Sequence, residues 1–177
     1  MVKVLLHLDT AISAADRNLD VRDFVTHQQA YLVSVHTILA GDNPISTWGL
    51  NYYSPELDKA KTFEVSQDIG ELKIRADQPS ELSEKDLKKL DLAGTLPIQD
   101  LVDKAFEKKK GKASNVIISA SHTEKRKSPI LRVNFVSSQL FIQSIILSLK
   151  SGRILSNKTD NISGTRVVAG TVNLRKD

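Results

Sequence analysis

The sequence contains no cysteine. Disulfides, thiolate metal sites and thiol catalysis are therefore excluded, although the absence says little about compartment. It also lacks a long hydrophobic run. Its richest apolar stretch, Leu140 to Leu149, is broken by Gln143, Ser144 and Ser148, which excludes a membrane-spanning helix there. The N-terminus, Met1 to Asp9, is too short and too polar for a signal peptide, so a cytoplasmic location is the default expectation. A secreted or envelope-associated location would follow if a leader had been removed. Aromatics make up only 5% of the residues, with a single tryptophan, Trp48. Stacking platforms for nucleic-acid bases are accordingly not indicated.

Catalytic signatures are missing as well. No Gly-x-Ser-x-Gly elbow, phosphate-cradling glycine loop, His-Glu-x-x-His helix or calcium loop occurs. The histidines are His7, His27, His36 and His122. On a helix advancing roughly 100° per residue, His27 and His36 fall on opposite sides and cannot share a metal. Asp23 and His27 stand at i, i+4, a spacing that gives a weak surface pair more often than a catalytic one. Catalytic residues, metal and cofactors are therefore all expected to be none.

What is present suits a globular protein of 177 residues: 40% apolar and 26% charged. At this length roughly two-thirds of the unfolded surface can be buried without a staple. The net charge of +4 conceals an asymmetry. Residues 1–90 carry 10 Lys/Arg against 14 Asp/Glu, and residues 91–177 carry 15 against 7. Either the basic half meets an acidic partner, or the two halves simply attract one another.

The patterning predicts an α+β fold. A short strand is expected at Val2–Leu8. A long helix follows over Asp20–Leu39, or from an earlier start within Thr10–Arg17, with Asp20 as a cap and Gly41-Asp42-Asn43-Pro44 as its stop. Strands are expected at Ile45–Tyr53, Thr62–Gln67 and Glu71–Ala76, the last two joined by a tight turn at Asp68-Ile69-Gly70. A charged surface helix over Ser83–Leu90 connects to a second unit. That unit opens at Pro97, with Ile98, Leu101, Val102, Ala105 and Phe106 at helical spacing, closed by Lys108-Lys109-Lys110 and Gly111. Strands follow at Asn115–Ser121, Ile130–Val136 and Leu140–Leu149, then Ile154-Leu155 and a final strand over Arg166–Leu174. The organisation is thus a first α+β unit at 1–80, a connector at 81–95 and a second unit at 96–177. Two antiparallel sheets, each cradling a main helix, and one merged sheet both satisfy this pattern.

Within the second unit, the helix from Leu96 to Ala105, the strand Leu131-Arg132-Val133-Asn134-Phe135 and the close from Ile145 to Leu155 with Gly152-Arg153-Ile154-Leu155 carry a resemblance. Residues 96–156 resemble the PepSY-type module, a small cystatin-like helix-plus-sheet unit. Leu149 and Lys150 stand where that family usually places an acidic residue before the final turn. The resemblance implies a secreted or envelope-associated binding module, sometimes linked to peptidase regulation.

Three functional readings follow. The leading one is a non-catalytic binding module that recognises a protein or peptide through a sheet face or edge, near Trp48, Tyr52 and Tyr53. On a strand Trp48 and Tyr52 share one face and Tyr53 the other, and such rings serve either a cleft or a core. The second is binding of nucleic acid or another polyanion through Lys108, Lys109, Lys110 and Lys112 with Lys125, Arg126 and Lys127. Solvated charge guarding strand edges explains the same lysines. The third is a small-molecule pocket or enzyme under the first helix, lined by Gln28 or His36. A homo-oligomer is compatible with all three.

Overall fold

Tyr31 to Ala40, expected as the second half of a helix, form a strand instead. In the computed structural model, which describes residues 2–68, 70–78, 87–122 and 128–161, the predicted long helix is replaced by three elements. Helix α1 spans Leu8–Arg17, helix α2 spans Leu19–His27, and strand β1 spans Tyr31–Ala40. Tyr31, Val33, Val35, Thr37 and Ile38 supply the β-branched and aromatic content that favours a pleated strand. Val33, Val35, Thr37 and Leu39 are buried in alternation. The chain turns between the two elements at Gln29, whose φ of 48° breaks the helix. The cap of α2 is Asn18 rather than Asp20: the Asn18 side chain accepts from the backbone of Asp20 and Val21. Gly41 to Pro44 therefore end a strand.

The predicted N-terminal strand is reduced to one parallel bridge between Val4 and Ile45, because Leu8 already opens α1. Elsewhere the pattern holds closely. The remaining elements are β2 (Thr47–Ser54), β3 (Lys59–Asp68), β4 (Glu71–Ala76), helix α3 (Ile98–Phe106), β5 (Asn115–Ser121), β6 (Ile130–Val136), β7 (Phe141–Ser148) and β8 (Ile154–Asn161). Pro97 caps α3, and Leu101, Val102 and Ala105 are its buried stripe. Lys108 to Lys110 lie just past this helix, in turns made by Lys108 and Lys109 donating to Ala105 and Phe106. Residues 87–90 are not helical. The predicted positions 83–86, Ile69 and 166–174 lie outside the described residues.

Among the described residues, eight strands form one antiparallel sheet in the order β4-β3-β2-β1-β5-β6-β7-β8. Each half is a meander, and the order reads the same outward from the central β1–β5 pair. That seam runs from Ser34 opposite Ser121 to Ala40 opposite Asn115. Positions correspond across it: Trp48, Leu50 and Tyr52 on β2 match Leu131, Val133 and Phe135 on β6 in their pairing with the third strand of each half. These side chains join Leu8, Ala11 and Ala15 of α1, Val21 and Phe24 of α2 and Leu101, Val102 and Ala105 of α3 in a single buried cluster. The three helices among the described residues therefore pack on one face of the sheet.

At the far end, Gly152 adopts φ 64° in the turn between β7 and β8. Its carbonyl accepts from Lys104 Nζ at 2.8 Å, and a side chain at this position would meet Leu96 and Leu101. The Gly-Arg-Ile-Leu close thus fastens the start of β8 to α3, and only glycine combines that left-handed backbone with so close an approach.

Candidate functional site

The face of the sheet opposite the helices carries a cross-strand polar network. By register it displays Ser34, His36 and Ile38 of β1, Gly49 and Asn51 of β2, and Thr62 and Glu64 of β3. Asn51 Nδ2 donates to Ser34 Oγ at 2.7 Å and lies 3.3 Å from His36 Nδ1. Thr62 Oγ1 donates to Asn51 Oδ1 at 2.7 Å. One asparagine thereby ties three strands together. In the other half Asn134 occupies the matching place and accepts from Ser144 Oγ at 2.7 Å.

Gly49 shapes this surface. The His36 imidazole lies across it, in the space that any Cβ at position 49 would occupy. Burial holds the His36 pKa below its ordinary 6.5, against the opposing pull of Glu64 and Asp77. Beside the network, Ile38 is 62% exposed and pairs across the seam with half-buried Ile117.

The lowered His36 pKa has a measurable consequence. The unfolded chain takes up the proton more readily than the folded one, so stability falls as pH drops below about 6.5. The loss stops once pH passes the folded value. Gly49→Ala is expected to push the ring toward water and return its pKa toward 6.5, flattening this dependence. A proton NMR titration of the imidazole checks both points, and a wild-type His36 titrating at 6.5 or above would refute them.

The residues singled out by sequence are dispersed. Trp48 is 2% exposed and its indole Nε1 donates to Leu6 O at 3.0 Å, within the core. Tyr52 is buried on the same face, edge-on to Phe63. Burial, and secondly the charge of Asp16, push its pKa up to about 12. Tyr53 points to the opposite face, where its hydroxyl donates to Asp58 and its ring meets Tyr31 edge-on. Gln28 is the C-cap of α2, and its carbonyl accepts from Ser54 Oγ at 2.6 Å. Asp23 and His27 stand 3.8 Å apart on an exposed surface.

Of the basic residues, Lys108, Lys110 and Lys112 are exposed. Lys109 Nζ lies 3.9 Å from the Asp42 carboxylate and over the Phe106 ring. Lys125, Arg126 and Lys127 lie outside the described residues. Among the described residues no three histidine or acidic side chains converge as a metal site would require, and no helix is long and apolar enough to cross a membrane.

A cleft of about 520 Å³ does lie beneath the first helix, between α1, the start of β1 and residues 89–92. Neither Gln28 nor His36 lines it. Sequence reasoning passed over Ser34, Asn51, Thr62 and this cleft. The available signal was polar residues and a glycine in mid-strand, at Gly49, Asn51 and Asn134.

No family model matches the chain, and no curated protein matches it. A solved structure does: the crystal structure of a "putative lipoprotein" from Clostridium difficile 630 superposes with a TM-score of 0.57 at 12% identity, covering 90% of this chain and 95% of the other. The likeness is one of fold.

Proposed function

We propose that this chain is a non-catalytic binding module that recognises a protein or peptide partner through the open face of its sheet. The observation that carries this reading is the face itself. Among the described residues no helix packs on it, and it bears exposed Ile38 beside the Ser34–Asn51–Thr62 network. An exposed aliphatic with fixed polar groups beside it offers a partner an apolar anchor and a polar rim. Trp48 and Tyr52 are spent on the core, so Ile38, Tyr53 and Asn51 are the residues assigned to contact.

Two likenesses support the reading. Helix α3 followed by β5, β6, β7 and the Gly152 turn has the element order implied by the PepSY-type resemblance of residues 96–156. Helix α2 followed by β1 to β4 repeats that order, so we read the protein as two cystatin-like units, 1–80 and 96–177, fused through one sheet. The fold similarity to a "putative lipoprotein" favours the cell envelope as its place of work.

The test is a photo-cross-linking amino acid at position 38, with position 19 as control. Leu19 is also highly exposed but belongs to the helix side. A discrete cross-linked partner is expected from position 38 alone, and Ile38→Lys should weaken its binding at least tenfold, roughly the effect of losing an interface anchor. No product from position 38, or the same products from both positions, would sink the proposal.

A further inference from the structure

The cleft beneath α1 has a chemistry separate from the open face. One face of α1 supplies Asp9, Ile12, Ser13 and Asp16, spaced so that all four look the same way. Val25 and Leu32 continue the apolar wall, and Leu90 closes it. The closing segment is pinned in place: Tyr31 donates its hydroxyl to Leu87 O at 2.9 Å, and Leu90 N donates to Leu32 O at 2.7 Å. The cleft is therefore preformed, and about 520 Å³ falls in the range of small-molecule sites.

Its rim is acidic in a way that helix stability does not explain. Asp9 stands in the first turn of α1, where a carboxylate offsets the macrodipole. Asp16 stands in the last turn, where the dipole disfavours it. Among the described residues neither carboxylate has an ion-pair partner. Lys89 shares the rim without pairing to either. Two carboxylates against one ammonium leave the mouth of an apolar cleft net negative.

We propose that this cleft binds a small amphiphilic amine, its apolar body against Ile12, Val25 and Leu32 and its protonated amino head at Asp16. An apolar body removes the walls from water, while the cation supplies the counter-charge that the Asp16 carboxylate lacks. The complementary alternatives are discriminated by charge: an anionic amphiphile is repelled at the rim, and a neutral one gains only the apolar contribution.

The experiment is isothermal titration of the full chain at low salt with octylammonium, octanol and octanoate, which share one chain and differ in charge. Saturable one-site binding is expected, with octylammonium preferred over octanol by about fivefold and octanoate weakest. Methyl NMR shifts at Ile12 and Leu32 locate the site. Asp16 is exposed, so Asp16→Asn should fold normally, abolish the preference for the amine and leave octanol binding unchanged. Absent octylammonium binding, equal affinity for all three, or a preference that survives Asp16→Asn would each overturn the proposal. Ile38→Lys should leave octylammonium binding intact, so this inference and the partner surface fail independently.

Discussion

Phe63→Ala is expected to lower the unfolding free energy by about 3–5 kcal/mol, the range for a large aromatic truncated in a packed core. Phe63 is fully buried at the middle of β3, where it pairs with Leu50 on one side and Ala76 on the other. Its ring lies 6.1 Å from that of Phe24 on α2 and 5.7 Å from that of Tyr52 on β2, nearly perpendicular to the latter. Lys61 Nζ stands 5.0 Å above it. The loss is large because its surroundings cannot collapse into the space. The flanking strands are held by their ladders, so the cavity persists and Phe24 loses the surface it packs on. Urea unfolding followed by Trp48 fluorescence measures the change. A loss under about 1.5 kcal/mol would mean that α2 does not rest on the sheet through this ring.

Gln143→Leu is expected to cost about 2–4 kcal/mol although it preserves side-chain volume, because it removes three part-buried hydrogen bonds, each contributing roughly 0.5–1.5 kcal/mol. Gln143 is 4% exposed and sits on the helix-covered face of β7. Its Oε1 accepts from Lys110 N at 2.8 Å, and its Nε2 donates to Lys108 O and Asn157 Oδ1, each at 2.9 Å. One amide thus fastens the turn after α3 to the sheet and to β8. Hydrogen exchange separates this cause from a simple packing defect: the Lys110 amide should lose protection more than the centre of β6 does. Unchanged protection at Lys110, or a loss below 1 kcal/mol, would show that the turn is held by something else.

The legibility of these features in the sequence follows their range. Helix α3 was readable because Ile98, Leu101, Val102 and Ala105 declare one face by local spacing alone. Strands β4, β5 and β6 were readable because alternation and flanking turn residues bound them. Strand β1 was not. Tyr31, Leu32, Val35, Ile38 and Leu39 also fit a continuation of the preceding helix, and Gln29 gives no sign that it adopts positive φ. The β-branched content of the segment was the better guide there.

The candidate sites were less legible. Ser34, Asn51 and Thr62 belong to three strands and meet only through register, which no local pattern specifies. The acidic and apolar face of α1 could be read from spacing, but the wall made by Leu90 could not. Likewise the choice between two sheets and one rests on the single pairing of β1 with β5.

That pairing governs how the chain must assemble. Within each meander every strand pairs with its immediate neighbour in sequence, so closure of each hairpin is cheap in loop entropy and fast. The β1–β5 seam instead joins the beginnings of the two meanders, and most of the first must be traversed to reach it. Each meander can organise on its own time, while the rate at which the whole sheet appears is set by the encounter of two strand edges that stay exposed until they find one another.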